Sequence, residues 1–346
     1  MDLLSRLGLS IPLVQAPMAG VSTPEMAAAV CNTGALGSIG VGATDAAGAR
    51  AMIHALRAQT KAAFNVNLFV HATPQPDPAR EAAWLDTLAP LFAEFDAPVP
   101  PGLRIVYRSF ADDPDMLAML LAERPPVVSF HFGLPAPDVL AALREAGCLL
   151  LASATSPAEA AIIERAGIDV IVAQGIEAGG HRGMFDPDAP DDGLGTFALT
   201  RLLVRQTRLP VIAAGGIMDG AGVRAALELG AAAAQLGTAF IACPESSADI
   251  AYRAALMSDA AQHTRFTSAI SGRPARCLAN RFSTLDSDAR PAAYPIAYDA
   301  GKALNAAAKQ KGEHGFGAQW AGQGAPLARA MPAAKLVETI RQEIQR

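Results

Sequence analysis

The sequence predicts an α/β protein, a (β/α)8 TIM barrel with a smaller, mainly helical cap. Three observations predict it. Short apolar runs alternate with alanine-rich amphipathic stretches from about residue 11 to residue 240, and such alternation implies parallel strands joined by helical crossovers. The runs number eight, the count that closes into a barrel. The turn after the first run, Gln15-Ala16-Pro17-Met18-Ala19-Gly20, lacks the G-x-G-x-x-G of a doubly wound dinucleotide fold.

Taken in order, Ile11 to Met18 reads as the first strand, and Thr23 with Pro24 as the N-cap and first position of a helix. Leu36 to Gly40 is the second strand, followed by a helix capped by Asp45, and Phe64 to Val70 is the third. Proline clusters at 74–78 and 98–101 bracket a helix over Glu81 to Phe95; with the apolar piece Leu103 to Phe110 they make an enlarged connection over 71–126. Val127 to Phe132 and Cys148 to Ala152 are the fourth and fifth strands, with a helix from Pro137 to Ala146 between them. Ser156 caps a helix ending at Gly167, and Asp169 to Ala173 is the sixth strand, an apolar run of the kind buried on both faces. Pro210 to Ala214 is the seventh strand, Asp219 to Leu229 a helix closed by Gly230, and Ala233 to Phe240 the eighth strand. Beyond it, Ser246 to Ser258, Ala297 to Lys311 and Pro326 to Gln345 read as helices, and His263 to Ser283 has β character. The barrel is thus expected over 1–245 and a substrate-binding cap over 246–346.

A chain that is 51% hydrophobic and 18% charged is globular rather than disordered. A net charge of -5 argues against a nucleic-acid or anionic-membrane surface. There is no membrane-spanning apolar run and no basic-then-apolar leader at Met1 to Arg6, so a cytoplasmic protein is expected. Cys31, Cys148, Cys243 and Cys277 are widely spaced without C-x-x-C, which argues for free buried thiols and against a metal site.

Active sites of such barrels lie at the carboxyl ends of the strands. The sixth run leads into Gln174-Gly175-Ile176-Glu177-Ala178-Gly179-Gly180-His181-Arg182-Gly183, a histidine among glycines just past a buried strand. Histidine titrates near neutrality, so His181 and His131, at the end of the fourth strand, are candidate bases, acids or donors; His131 also reads as a core histidine. His54, His71, His263 and His314 read as structural or solvated. Gly215-Gly216 and Gly237-Thr238, after the seventh and eighth strands, fit a phosphate cradle or simple tight turns. Asn67 and Gln174 offer amides to the edge of a heteroaromatic ring, or hydrogen bonds inside the barrel, and Ala16, Pro17 and Met18 offer an apolar bed. Together these suggest a flavin mononucleotide. Tyr294, Tyr298 and Lys302, four apart, would share a helix face, either an ordinary half-buried one or one aimed at a small anion, with Tyr294 placed before the helix proper by Pro295; Trp320-Ala321-Gly322-Gln323-Gly324 is an aromatic turn.

These segments together resemble the nitronate monooxygenase family, its class I bacterial branch in particular. The resemblance runs from Gln15-Ala16-Pro17-Met18 through Asn67-Leu68-Phe69, Ser129-Phe130-His131-Phe132-Gly133, the Gln174–Gly183 stretch, Ala214-Gly215-Gly216-Ile217 and Gln235-Leu236-Gly237-Thr238 to the Trp320 turn. It implies FMN contacts from Asn67, Gln174, Gly179, Gly180, Gly216 and Gln235-Leu236-Gly237-Thr238, and a catalytic role for His181. It implies a substrate site at Tyr107, His131, Tyr294, Tyr298 and Lys302. The implied reaction is FMN-dependent oxidation of an alkyl nitronate, propionate 3-nitronate being a fitting one, by O2 through a flavin semiquinone to a carbonyl compound and nitrite. The expected partners are a small-molecule nitronate and O2, without nucleic acid or membrane; the sequence is compatible with an oligomer. Ala-Gly-Gly-His is shared with NADH-dependent flavin reductases acting on quinones or enoyl thioesters, which is the alternative reading. A non-redox phosphate-binding barrel is a third, disfavoured because no lysine at a strand end offers a Schiff base. Asn65 departs from the pattern, where glycine is expected.

Overall fold

The computed structural model describes residues 3–285, 287 and 289–346; Met1 and Asp2, where the reading of the amino terminus begins, lie outside it, as do Asp286 and Asp288. The strands are β1 (Leu13–Gln15), β2 (Gly37–Gly40), β3 (Phe64–Phe69), β4 (Val127–His131), β5 (Leu149–Ala154), β6 (Val170–Gln174), β7 (Gly180–His181), β8 (Val211–Ala214), β9 (Ala233–Leu236), β10 (Thr264–Thr267) and β11 (Ala275–Leu278). The helices are α1 (Leu3–Leu7), α2 (Pro24–Cys31), α3 (Ala46–Arg57), α4 (Pro78–Glu94), α5 (Pro114–Glu123), α6 (Pro137–Glu145), α7 (Pro157–Arg165), α8 (Thr196–Gln206), α9 (Gly220–Glu228), α10 (Thr238–Ile241), α11 (Ile250–Leu256), α12 (Ile296–Gln310) and α13 (Ala333–Ile344). Thr23, Asp45 and Ser156 cap α2, α3 and α7 through their side-chain oxygens, as the sequence predicts, and Asp219, read as the first helical residue, caps α9 in the same way.

Eight strands pair in parallel in the order β1-β9-β8-β6-β5-β4-β3-β2. The sheet closes where Gln15 N–H donates to Leu36 O at 2.9 Å and Leu36 N–H donates to Leu13 O at 3.0 Å. Residues alternate across it. Outward positions such as Val66, Val128, Leu150 and Ile171 pack under the helices. Inward positions near the strand starts, including Val14, Leu36, Val127, Leu151, Val170 and Ile212, fill the barrel, and Leu3 of α1 packs with them. Two residues further along, the inward positions turn polar. Asn67, Ser129, Ser153, Gln174 and Gln235 open into a cleft instead of a core.

Several boundaries differ from expectation. β1 is only three residues long because Pro12 and Pro17 flank it and neither can donate to a ladder. The eighth run splits into β9 and α10 at Gly237. Pro326 to Gln345 is broken, with a 3₁₀ turn at Ala325–Leu327 and α13 starting after Pro332. The packing also does not follow a division at residue 245. α13 buries Ala333, Leu336, Val337 and Ile340 in the same core as α2 and α9, so it completes the outer ring of barrel helices. α4, by contrast, belongs to the cap: Trp84, Leu88 and Phe92 share a core with Ile270, Phe282, Leu304 and Phe316.

The closeness of α2 to the barrel rests on Gly37, where an added Cβ would lie 2.1 Å from Ala27 O. Gly37→Ala is expected to cost about 1–3 kcal/mol by overpacking, read as a lower urea midpoint; an unchanged midpoint would contradict this packing.

Candidate active site

The cleft has a volume of about 930 Å³ and lies between the carboxyl ends of the barrel strands and the cap. Its floor is the polar inner layer. Asn67 Nδ2 donates to Ser129 Oγ at 2.9 Å and to Ser129 O at 3.2 Å. Asn65, one layer below, donates to Ser38 Oγ at 3.2 Å, so the unexpected asparagine is a buried interior group and not part of the cleft.

The histidine loop is fixed by its own strand. Gln174 Nε2 donates to His181 O at 3.0 Å, and Gln174 Oε1 accepts from Gly183 N–H at 2.7 Å. Each amide atom keeps one position free for a ligand. Arg182, almost fully buried, donates to Gln174 O at 2.5 Å and forks onto Asp191 at 2.7 and 2.9 Å. Arg276 donates twice to Ile176 O at 3.1 Å. Glu177 accepts from Thr196 N–H at 2.8 Å, capping α8, whose own N-cap residue Gly195 has no side chain to do so. β7 then pairs antiparallel with β11, His181 opposite Ala275, in the sheet β10-β11-β7. The loop therefore belongs to both barrel and cap. Gly179 lets the Trp320 turn come close, since a Cβ there would lie 2.5 Å from Gly322 N.

Around His181 the cap supplies rings: Tyr294 at 5.3 Å, Tyr298 at 6.1 Å and Trp320 at 5.0 Å between centroids, with Phe132 of the barrel at 5.7 Å. Tyr107 meets Tyr298 at 5.5 Å, and the Lys302 ammonium stands 4.5 Å from the Tyr107 centroid and 5.5 Å from that of Tyr298. Arg104 reaches Asp299 of α12 by its backbone N–H at 3.0 Å and by an ion pair at 3.2 Å, tying the Tyr107 segment to the lysine helix. Tyr294 precedes α12, because the residue before Pro295 is disfavoured in the α region. The one-face spacing therefore holds for Tyr298 and Lys302 only, yet all three side chains line the cleft.

Burial pushes His181 well below 6.5, and the charge of Arg273 and the neighbouring His131 and His71 push it the same way. Burial also brings His131 down to about 4 and raises the phenols of Tyr294 and Tyr298. His131 Nε2 donates to His181 O at 3.3 Å, a carbonyl that can only accept, and Nδ1 meets Ser153 Oγ at 3.0 Å. Both its nitrogens are engaged within the protein. It lines the cleft but serves the histidine loop, and offers no free nitrogen to a substrate.

The opposite rim fits a phosphate and a flat ring. Gly215 and Gly216 have φ of 126° and 70°, where side chains are strained. The N–H groups of Gly216 and Gly237 have no partner among the described residues. Thr238 Oγ1 accepts from Gly322 N–H at 3.0 Å and keeps its own proton to donate. Helix termini contribute less than the sequence suggests, because α10 has four residues and the N-terminus of α9 carries the Asp219 carboxylate. Ala16, Pro17, Met18, Gly179, Gly180 and Gln235 also line the cleft. Leu236 does not. Strand alternation turns its side chain outward, into the core with Phe240 and Leu336.

Sequence reasoning missed three residues. His71 is buried, 4.9 Å from the Tyr294 ring, with neither nitrogen hydrogen-bonded. Ser271 Oγ meets His181 Nε2 at 2.9 Å. Arg273 is buried with its guanidinium 4.2 Å over the Phe132 ring, and donates to Met184 O. The one available signal was the turn Ser271-Gly272-Arg273-Pro274 inside a β-rich stretch. Phe132 itself has φ 76°, a conformation costing a bulky residue about 1–3 kcal/mol.

The sequence profile described as nitronate monooxygenase matches residues 2–343. The chain is 63% identical over 346 residues to a nitronate monooxygenase of Paraburkholderia phytofirmans, covering 99% of this chain and 94% of that one. It is 56% identical to a nitronate monooxygenase of Pseudomonas aeruginosa, covering 98% and 97%. Among solved structures, a nitroalkane oxidase from Streptomyces ansochromogenes superposes with a TM-score of 0.90 at 42% identity, covering 99% and 97%. FabK from Thermotoga maritima gives a TM-score of 0.72 at 28% identity, covering 99% and 95%.

Burial, reinforced by Arg273, lowers His71 from 6.5 to about 4. Between those values the unfolded chain binds a proton that the folded chain refuses, so stability falls as pH drops through this window. The loss reaches about 3 kcal/mol for this residue alone. Urea unfolding at neutral pH and at about pH 4 should show a shallower pH dependence for His71→Leu than for the unsubstituted protein; equal slopes would contradict the assignment.

Proposed function

This chain belongs to the nitronate monooxygenase family of flavin-dependent oxidoreductases, enzymes that oxidise nitronates, and from that premise we propose that it holds FMN and oxidises a carboxylated nitronate with O2 to a carbonyl compound and nitrite. Bound FMN supplies the redox chemistry. The protein supplies binding, orientation and charge. Gly215, Gly216, Gly237 and Thr238 hold the phosphate. Asn67, Gln174 and Gln235 would bond the ring edge, and Met18 would offer it an apolar contact.

The observation that carries the reading is the Lys302 ammonium held over the rings of Tyr107 and Tyr298, on the same side of the cleft as His181. Among the described residues lining the cleft Asp249 is the only carboxylate, and it is paired with Lys309 at 2.6 Å. Such a site attracts a small anion and has no second carboxylate for hydrolytic acid–base work. In this reading the nitronate lies over the ring beneath His181, Tyr294, Tyr298 and Trp320. Those side chains exclude water, and Lys302 takes the remote carboxylate of a substrate such as propionate 3-nitronate. The neutral His181 leaves the nitronate its charge and can take the α-proton of a neutral nitroalkane.

The purified yellow holoprotein should consume O2 with propionate 3-nitronate; no uptake at any enzyme level would sink the reading. His181→Asn should cut turnover of neutral nitroethane by about 100-fold or more with FMN retained, and full activity on it would remove His181 as the base. Lys302→Met should raise KM for propionate 3-nitronate by about 10-fold, the order of one charge-assisted contact. Ethyl nitronate, without a carboxylate, should be affected less; equal losses on both would contradict a carboxylate subsite.

A further inference from the structure

We propose that Ser271 is a positioning residue that holds His181 in its Nε2–H tautomer, so that Nδ1 is presented as a proton acceptor. The argument is a count of protons. Ser271 is fully buried and its hydroxyl has one hydrogen. Its Oγ lies 3.1 Å from Arg273 O and 2.9 Å from His181 Nε2. The Arg273 carbonyl can only accept, and no other donor among the described residues reaches it. The hydroxyl hydrogen therefore goes to Arg273 O, and Oγ accepts from His181 Nε2–H. The reverse assignment would leave a buried carbonyl unpaired, at about 1–3 kcal/mol. Nδ1 of His181 has no partner among the described residues and is not sealed from solvent, and His181 lines the cleft.

The loop backbone is fixed independently, by Gln174 and His131 on His181 O, so Ser271 acts on the ring alone. The charged and titratable groups around that ring are Arg273 on the same turn as Ser271, His131 at the end of β4, His71 after β3, and Tyr294 and Tyr298 of the cap. None is an anion that would favour a doubly protonated ring. The chemistry this suits is removal of a proton from carbon. With a neutral nitroalkane the Cα–H bond breaks and the proton passes to Nδ1. The electron pair becomes the C=N bond of the nitronate, and the nitro N=O pair moves to oxygen. Ser271 still accepts from Nε2–H in the imidazolium, so the ring need not turn between the two states. The inference extends the proposed function to this substrate class and rests on His181 meeting the substrate.

The test is nitrogen NMR of the FMN-loaded protein carrying ¹⁵N-histidine, with the His181 signals assigned by their loss in His181→Asn. At neutral pH the expected spectrum has a protonated Nε2 and an unprotonated Nδ1. Ser271→Ala should show averaging between tautomers, and Ser271→Thr, which keeps the hydroxyl, should restore the single form. Exchange of the α-hydrogen of nitroethane with D2O should slow by about 10-fold in Ser271→Ala. Oxidation of preformed ethyl nitronate, which needs no proton removal, should change much less. A proton on Nδ1 in the unsubstituted protein, or an unchanged tautomer in Ser271→Ala, would overturn the proposal, and neither depends on that variant being active. The expected tautomer in a protein that consumes no O2 with any nitronate would leave this inference standing and remove the functional reading instead.

Discussion

The site depends on the polar knot at the exit of β6. The glycines of this loop have no side chains to hold it in place, and its backbone groups are half-buried. Gln174 answers that by bonding His181 O and Gly183 N–H with the two ends of one amide. Arg182, buried and paired with Asp191, holds the carbonyl of Gln174 itself. Losing Asp191 would be costly because Arg182, itself buried, has little water to turn to. The loop backbone is thereby tied to the end of the strand it leaves.

From that fixed point the barrel and the cap take different parts. The barrel contributes an inner layer that changes from aliphatic to polar within two residues, giving amides and backbone N–H groups at the mouth. The cap contributes rings and a lysine, carried on α12 and the Trp320 turn and built on the core that α4 shares with α12. The β7–β11 pairing joins the two through the histidine. Lys302, flanked by rings, faces a cleft whose single lining carboxylate among the described residues is already paired, while Arg273 is buried over the Phe132 ring. Burial, reinforced by Arg273, lowers the pKa of the surrounding histidines, and Lys302 favours an anionic guest.

Much of this was legible in the sequence. Eight apolar runs, their capping residues and the polar strand ends placed Asn67, Gln174, His181 and Gln235 in one cleft, because strand alternation is a local rule. What was not legible depends on tertiary packing. Leu236 sits beside Gln235 in sequence, and only the register decides that it faces the helices. α13 was assigned to the cap from chain order, whereas its apolar face fits the gap between α9 and α2. His71, Ser271 and Arg273 carry no periodic signal: His71 and Arg273 meet through the Phe132 ring, and Ser271 bonds His181 directly.

The central claim is that this cleft delivers an anionic nitronate to a bound flavin. Anaerobic rapid mixing of the FMN-loaded protein with propionate 3-nitronate, and separately with NADH, tests it most directly. Loss of the oxidised flavin absorbance with the nitronate, faster than with NADH, is the predicted result. Bleaching by NADH with none by the nitronate would contradict it.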